Sequence, residues 1–331
     1  MKRTLSMRIF TMICAVVFSI ILFCAAPLAE TAQSDAGNTN RITVIATIFA
    51  PFDLARAVAG DLADVAMLLP PGSESHSFEP TPRDILKIQN SDVFIYVGGE
   101  SDEWIGDILS SMETDGKVVV TLMDCVEAVE EEIVEGMEDE EEAEVEAAEE
   151  SGAHEAEYDE HVWTSPRNAA LIVDRIADAL IEADPTNSAA YRANADSYQQ
   201  QLMEIDAAFQ DVVDNAARRT IVFGDRFPFR YLADAYGLMY YAAFPGCSTE
   251  TEPSAATVKF LIDKIRAEQI PVVFHLELSN AKMAETIAES TGAVVRQLHA
   301  AHNISKADFE AGLTYLDIQW ANVEVLREAL N

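Results

Sequence analysis

Histidine is rare in this chain, and its placement points to metal binding. The six copies are His76, His154, His161, His275, His299 and His302. All except His154 and His275 lie where the chain leaves a predicted strand or returns from a long loop. Neutral imidazole is the commonest metal ligand in proteins, and a strand-exit loop holds it rigidly. A single histidine of this kind is usually hydrogen-bonded or solvated. The recurrence of this residue type at three separate sites favours a shared ligand set.

The sequence motifs of several common enzyme classes are absent from the chain. It contains no H-E-x-x-H zinc motif, no G-x-S-x-G nucleophile elbow and no G-x(4)-G-K-[ST] phosphate loop. HEAEYDEH (154–161) has the wrong spacing for a zinc hydrolase. We therefore predict a binding protein, not an enzyme, and a metal-dependent hydrolase is the less favoured alternative.

The elements that must position the histidines alternate between strands and helices. RITVIATIF (41–49) begins a series of β-rich runs separated by helical stretches, and RTIVFG (219–224) begins a second series. This rhythm is typical of a parallel sheet flanked by helices. APFDLARAVAG (50–60) and FPFRYLADAYG (227–237) echo each other. We predict two similar α/β lobes with ligands bound beyond the carboxyl ends of their strands, in a cleft between the lobes.

A long helix is predicted between the two series. Asp184-Pro185 is a good helix start, and apolar residues then recur at spacings of four and three. They are Tyr191, Ala195, Tyr198, Leu202, Ile205, Phe209 and Val212. Such a helix would join the lobes. The predicted organisation is a signal peptide or membrane anchor at 1–29, a linker at 30–40, a lobe at 41–184, the helix at 185–217 and a lobe at 218–331.

The charge of the chain is strongly negative and concentrated in one segment. Asp and Glu outnumber Lys and Arg by 57 to 22, for a net charge of −35. Residues 127–160 contain 18 of these acids and no Lys or Arg, so we expect a mobile surface loop there. A nucleic-acid partner is excluded on charge, because phosphate binding needs clustered basic residues.

The N-terminus predicts export. Lys2, Arg3 and Arg8 precede an apolar run from 9 to 28. Cleavage near Ala29, lipidation at Cys24 and retention as an uncleaved anchor all remain open. We expect a periplasmic protein or one attached to the outer face of the cytoplasmic membrane.

Two cysteines lie beyond this signal, Cys125 and Cys247. In an exported protein they could form a disulfide, or they could be two separate buried thiols. The sequence leaves both alternatives open.

Three motifs resemble one family. PPGSESHSFEPTP (70–82), DEHVWTSP (159–166) and DPTNSAAYRANADSYQQQL (184–202) are similar to segments of the zinc- and manganese-binding solute-binding proteins of ABC transporters. The resemblance covers nearly all of residues 41–331. It implies two α/β lobes, a rigid linking helix, one divalent cation in the cleft and delivery of that cation to a membrane permease subunit. We expect a monomer. A manganese-specific protein with an adhesin role is an alternative within the same family.

The resemblance also implies metal ligands. His76 and His161 match the first two ligand positions of the family. At the third position, where the family has His or Glu, this chain has Arg226, which cannot ligate. Asp225 would be the third ligand if the loop shifts by one residue; otherwise Arg226 pairs with Asp225 and that position is empty.

The fourth position departs from the family pattern as well. The family usually has Asp after its last core strand, whereas this chain has His299 there, with His302 as a second candidate. A set rich in imidazoles suits Zn²⁺, and a set richer in carboxylates would suit Mn²⁺. The predicted site is therefore His76, His161, Asp225 and His299, binding zinc.

Overall fold

The computed structural model describes residues 41–74, 78–112, 114, 116–137, 157–248 and 253–331. Residues Arg41–Asn331 form one compact unit. The predicted export signal, the linker, His76, His154 and most of the acidic segment lie outside the described residues. Within the described part of the chain, no helix is both long and apolar enough to cross a membrane.

The first half of this unit is built on a four-stranded parallel sheet. Its strands are β1 (Ile42–Ala46), β2 (Ala63–Met67), β3 (Val93–Tyr96) and β4 (Val118–Thr121), in the order β2-β1-β3-β4. The helices of this half are α1 (Phe49–Ala59), α2 (Pro82–Gln89), α3 (Glu103–Ser111) and α4 (Pro166–Ala183). The residues of β3 are buried or nearly so, as expected for a central parallel strand.

The start of α2 shows how local chemistry sets these elements. The Thr81 side chain accepts a hydrogen bond from the backbone N–H of Asp84, and the Asp84 carboxylate accepts one from the backbone N–H of Thr81. Pro82 occupies the first helical turn, where its missing N–H costs nothing. This reciprocal cap fixes the start of α2.

The second half repeats the topology of the first. Its strands are β5 (Thr220–Val222), β7 (Met239–Tyr241), β9 (Val272–His275) and β10 (Val294–Gln297). β5 pairs with β7 and β9 with β10, all parallel, and a parallel bridge between Phe223 and Phe274 joins the two pairs. The resulting order, β7-β5-β9-β10, corresponds to β2-β1-β3-β4. Two short strands, β6 (Arg226–Phe227) and β8 (Phe244–Pro245), pair beyond β5 and β7. The predicted α/β class with parallel sheets is confirmed.

The remaining helices follow in the second half of the chain. They are α6 (Arg230–Tyr236), α7 (Ala255–Glu268), α8 (Lys282–Thr291), α9 (Lys306–Ala311) and α10 (Tyr315–Leu330). α9 was not predicted; it ends at Gly312, whose φ of 79° is one that glycine adopts without strain.

The long helix is present as α5 (Ser188–Asp214), preceded by a 3₁₀ turn at Pro185–Asn187. Its 27 residues span about 40 Å at 1.5 Å per residue. Every residue of the predicted apolar stripe is buried. Tyr191 to Leu202 pack into the core of the first half, and Ile205 to Val213 pack into the core of the second. One helix therefore contributes to both cores. It ends three residues earlier than predicted, because the backbone N–H groups of Ala217 and Arg218 instead bond to the carbonyl of Leu330.

The two ends of the acidic segment differ from the predicted surface loop. Glu130 and Tyr158 form an antiparallel bridge, and residues 159 and 160 are buried. The Glu160 carboxylate accepts the backbone N–H of Ser101 at 2.8 Å, and that of Glu131 accepts the N–H of Cys247 at 2.9 Å. The amino-acid composition did not predict these contacts, because it does not reveal which carboxylates have hydrogen-bond partners. Residues 127–137 and 157–160 thus belong to the packed structure.

Cys125 and Cys247 are both free thiols in the structure, so they do not form the disulfide that was one of the two alternatives, and each is partly buried. Burial raises the pKa of Cys125 to about 11 and raises that of Cys247 further, with nearby carboxylates adding to the shift at Cys247. Both thiols are therefore protonated at neutral pH.

Candidate metal site

Two imidazoles from distant parts of the chain meet in the interior. The ring centroids of His161 and His302 are 4.7 Å apart, with the ring planes at 80°. His161 follows the acidic segment, and His302 follows β10, the last strand of the second half. The indole of Trp163 lies against both rings, at 5.6 Å and 5.4 Å between centroids, and donates a hydrogen bond to the carbonyl of Ala300. Trp163 therefore forms a wall of the site.

A buried carboxylate orients His161. Asp159 Oδ1 accepts the backbone N–H of His161 at 2.8 Å and lies 3.0 Å from its Nδ1. Both side chains are 1% exposed. With Nδ1–H directed at the carboxylate, Nε2 is the nitrogen left with a lone pair for a metal. Burial lowers the pKa of His161, but the adjacent Asp159, Glu160 and Glu131 outweigh this and the net shift is upward.

A second buried carboxylate holds the His302 loop. Glu277 lies just beyond β9, and its oxygens accept the backbone N–H groups of Ala300 at 2.7 Å and His302 at 3.0 Å. Glu277 Oε1 is 3.4 Å from His302 Nδ1, and Oε2 is 3.6 Å from His299 Nδ1. Burial raises the pKa of Glu277, but the two histidines and the backbone donor outweigh it and bring the pKa down to about 2. Glu277 is therefore ionised at neutral pH.

His299 and His302 have different surroundings. His299 Nδ1 accepts the backbone N–H of Ala301 at 3.0 Å, and the His299 backbone makes two hydrogen bonds with the side chain of Asn322. His302 instead makes the ring contact with His161. The sequence prediction chose His299 and kept His302 as the second candidate. The structure places His302 beside His161.

Asp225 is occupied by backbone donors. Its Oδ1 accepts the N–H of Arg226 at 2.9 Å, and its Oδ2 accepts the N–H of Leu276 at 3.2 Å. The carboxylate thus links the residues that follow β5 to those that follow β9. The Arg226 guanidinium contacts other groups than the Asp225 carboxylate. It donates a hydrogen bond to the carbonyl of Ser248 at 3.0 Å and lies 3.5 Å from Glu74 Oε1.

The loop that carries His76 is attached to the His302 loop on its described side. The side chain of Asn303 donates to the carbonyls of Pro70 and Ser73, both at 2.8 Å. The backbone N–H of Gly72 donates to the carbonyl of Ile304 at 2.8 Å. These bonds bring the residues just before 75–77 next to His302.

Two cavities share His302. The larger, of about 150 Å³, is lined by residues that include Glu74, Asp225, Arg226, Glu277 and His302. The smaller, of about 40 Å³, is lined by residues that include Phe78, Trp104, Glu160, His161 and His302. Glu74 and Phe78 flank the undescribed residues 75–77 on either side. The residues on either side of that segment, Glu74 and Phe78, therefore lie close to the His161–His302 pair.

A glycine keeps the space beside His161 open. A Cβ atom at Gly246 would lie 3.2 Å from His161 Nδ1 and Cε1 and 2.9 Å from the carbonyl oxygen of Phe227. Any side chain at this position would press on the imidazole. Gly246 belongs to the FPG segment that echoes the PPG segment before His76.

The described donors that meet are two imidazoles, which suit a divalent ion of borderline softness. Two imidazoles, each with Nδ1 directed at a carboxylate, are suitable ligands for Zn²⁺. In the described ranges, no group of three His, Cys, Asp or Glu side chains is placed to hold a metal ion. His76 lies outside those ranges.

Sequence reasoning missed Asp159 and Glu277. Asp159 precedes His161 by two residues, and that spacing is a usable signal for a carboxylate that supports an imidazole. Glu277 is 25 residues from His302 in the chain. Only the adjacency of β9 and β10 indicates that residues after these two strands meet.

The fold defines an α/β protein with two halves of the same strand order, and its candidate metal site lies in loops that join the strands and helices. The chain matches the family model described as zinc-uptake complex component A, periplasmic (ZnuA), over residues 44–329. It belongs to this family.

Individual relatives agree with this assignment. The chain is 28% identical to the high-affinity zinc uptake system protein ZnuA of Bacillus subtilis (strain 168) over 310 residues, 94% of each chain. The fold matches the crystal structure of the metal-dependent lipoprotein YcdH from Bacillus subtilis with a TM-score of 0.72 and 27% identity, covering 88% of this chain and 100% of that one. It matches Zn(II)-bound AdcA from Streptococcus pneumoniae with a TM-score of 0.70 and 25% identity, covering 88% of this chain and 58% of AdcA. The chain thus spans little more than half the length of AdcA.

Proposed function

We propose that this chain is an extracytoplasmic zinc-binding protein that captures one Zn²⁺ and delivers it to an ABC-type permease. The observation that carries the proposal is the contact between the buried ring of His161 and the largely buried ring of His302, each beside its own buried carboxylate, in a chain of the zinc-uptake family. Export, suggested by the N-terminal sequence, fits the periplasmic description of that family.

The proposed protein ligands are His76, His161 and His302. His161 and His302 are chosen for their contact, and His76 for the positions of the residues on either side of it. His302 replaces His299 in this set because it is the histidine that meets His161. Asp225 is left out because both of its carboxylate oxygens accept backbone N–H groups.

Zinc is the favoured cargo on chemical grounds. Three imidazoles leave one position of a tetrahedral Zn²⁺ ion for water or another ligand. Mn²⁺ prefers oxygen ligands in a site of higher coordination number, and the described carboxylates near the imidazoles are engaged by backbone donors or by the imidazoles themselves. The B. subtilis relative is a zinc uptake protein by name, and AdcA was solved with Zn(II).

Calorimetric titration of metal-free protein tests this proposal. We expect one Zn²⁺ per chain, and a severe loss of affinity in His76→Ala, His161→Ala and His302→Ala. His275→Ala is a matched control, because the ring of His275 bonds to the carbonyl of Leu276, outside the proposed set. A stoichiometry of zero, or unchanged affinity in both His161→Ala and His302→Ala, would refute the proposal.

Delivery needs a separate test. The zinc-loaded chain is expected to stimulate ATP hydrolysis by its cognate permease in proteoliposomes, whereas the zinc-free chain and the His161→Ala variant are not. Equal stimulation by all three would separate metal binding from transport and contradict the delivery step.

A further inference from the structure

A tyrosine of the second half reaches the core of the first half. Tyr231 lies on α6, which follows the short strand β6. Its side chain is 5% exposed and belongs to the same cluster of buried residues as Val162 and Trp163, which follow His161 in the chain. A large ring packed in this way has little freedom to move, so its hydroxyl is held at a fixed point where the two halves meet.

The Tyr231 hydroxyl binds both ends of the acidic segment. It accepts the backbone N–H of Val129 at 3.2 Å and donates to the backbone carbonyl of Asp159 at 2.8 Å. The backbone N–H of Asp159 donates in turn to the carbonyl of Val129 at 2.9 Å. Three hydrogen bonds therefore connect these three residues in a closed ring, and the hydroxyl takes part in two of them.

The hydroxyl keeps its proton over a wide pH range. Burial raises the pKa of Tyr231 to about 12. The phenol can therefore donate one hydrogen bond and accept another at neutral and at moderately alkaline pH. Phenylalanine would fill the same space without either bond, so the N–H of Val129 would lose this acceptor and the carbonyl of Asp159 would lose this donor.

Asp159 connects Tyr231 to the metal site. Its backbone carbonyl is held by Tyr231, and its carboxylate holds both the backbone nitrogen and Nδ1 of His161, at 2.8 Å and 3.0 Å. The side chains of Asp159 and His161 are each 1% exposed, so water has little access to this contact. Because the two residues are close in the chain, a shift of the Asp159 backbone would move the carboxylate relative to the ring.

We propose that Tyr231 is a positioning residue of the metal site. Its hydroxyl fixes the backbone of Asp159, and Asp159 then keeps the His161 ring in the orientation and tautomer that bind zinc. Groups that hold a ligating imidazole directly contribute about tenfold to 100-fold to metal affinity. Tyr231 acts through one further residue, so its contribution is at or below the lower end of that range. This inference rests on the proposed function, because His161 is a ligand only in that proposal.

Tyr231→Phe removes the hydroxyl and keeps the ring. We expect this variant to bind zinc about fivefold to tenfold more weakly than the wild-type chain in calorimetric titrations. Tyr236→Phe is the matched control, because Tyr236 is a buried tyrosine of the same helix whose hydroxyl donates to Asp206 instead. The control is expected to bind zinc like the wild-type chain. Circular dichroism confirms that both variants are folded.

A second measurement separates positioning from a general loss of stability, and it needs no metal. Nitrogen NMR of the zinc-free chain at alkaline pH reports which ring nitrogen of His161 carries the proton, and the His161→Gln variant identifies the signals. In the wild-type chain we expect the proton on Nδ1, which faces Asp159. In Tyr231→Phe we expect a mixture of the two tautomers, and in Tyr236→Phe the wild-type pattern.

Two results would overturn the inference while leaving the proposed function intact. One is an unchanged zinc affinity or an unchanged His161 tautomer in Tyr231→Phe, because the hydroxyl would then only stabilise the fold. The other is an equal effect in Tyr236→Phe, because the loss would not depend on the contact with Asp159. If the wild-type chain binds no zinc, the proposed function fails, whereas a tautomer change confined to Tyr231→Phe would still show that the hydroxyl positions the ring.

Discussion

Glu277 and His302 are joined twice: one carboxylate oxygen, Oε1, accepts the backbone N–H of His302 at 3.0 Å and lies 3.4 Å from its Nδ1. Asp159 holds His161 in the same way, with one oxygen 2.8 Å from the backbone nitrogen and 3.0 Å from Nδ1. Each imidazole is therefore fixed in backbone and ring together. The two carboxylates come from different halves, yet they orient two rings that touch.

Glu277→Gln is expected to weaken zinc binding by about tenfold to 100-fold. The carboxamide can still accept a backbone N–H, but it carries no charge to stabilise the His302 ring in its ligating orientation. Calorimetry measures the affinity. Glu289→Gln, at an exposed position of α8, is the matched control and should bind like wild type. Equal affinity in Glu277→Gln would show that His302 is oriented without it.

His302→Ala is expected to reduce zinc affinity by about 100-fold or more, and His299→Ala by clearly less. The reason is that His302 contacts His161, whereas Nδ1 of His299 accepts the N–H of Ala301. Parallel calorimetric titrations of the two variants with zinc show which of them loses more affinity. If His299→Ala loses more affinity, the ligand is His299, as first predicted from the sequence.

Gly246→Ala is expected to weaken zinc binding by about tenfold and to lower stability by about 1–3 kcal/mol. The added methyl group would lie 2.9 Å from the Phe227 carbonyl oxygen and 3.2 Å from the His161 ring. Titration and chemical unfolding measure the two effects. Gly106→Ala in α3 has nothing within 4 Å and should not reduce either quantity. A neutral Gly246→Ala would mean that the β8 segment shifts without disturbing the site.

Because the pKa of Asp102 is raised in the folded state, the free energy of unfolding is expected to fall as pH rises. Burial, opposed by hydrogen bonds from Gly98 and Val97, raises its pKa from 3.8 to about 6. Between those values the folded state holds more protons than the unfolded state, so the free energy of unfolding falls with increasing pH. The contribution is present below pH 3.8 and is lost as pH passes 6. Its full size is at most about 3 kcal/mol.

Asp102→Asn tests this pH dependence. An amide oxygen can still accept the N–H groups of Val97 and Gly98, which both donate to Oδ2 in the wild-type chain. We expect the variant to gain stability relative to wild type as pH rises from 4 to 7, since it lacks the charge that burial disfavours. Urea unfolding at several pH values supplies the comparison. A stability difference that is constant across this range would show that Asp102 titrates normally.

Local patterns in the sequence were sufficient for most of the secondary elements, although not for α9. The apolar stripe of α5 was predicted residue by residue, because it depends on neighbours three and four positions away along the chain. The repeated order of strands and helices was predicted for the same reason. The end of α5 was less well placed, since the chain leaves the helix to bond with the carbonyl of Leu330, more than 100 residues away.

Which of two histidines three residues apart contacts His161 depends on the tertiary structure. Ala301, fully buried, has a φ of 62°, a left-handed conformation that non-glycine residues rarely adopt. This turn, held by Glu277 from the neighbouring strand exit, directs His302 toward His161. No spacing rule reveals such a turn, because Ala is not a residue that signals one.

By itself, the sequence determined the α/β class, the long helix, the family resemblance and the residue types available for metal binding. Only the tertiary structure decided which imidazoles meet, and that Asp159, Glu160 and Glu277 are buried partners and not solvated charges. The physical reason is the separation along the chain between the residues that interact. Helix periodicity and capping depend on contacts within about one or two turns, whereas the site depends on hydrogen bonds between loops that only folding brings together.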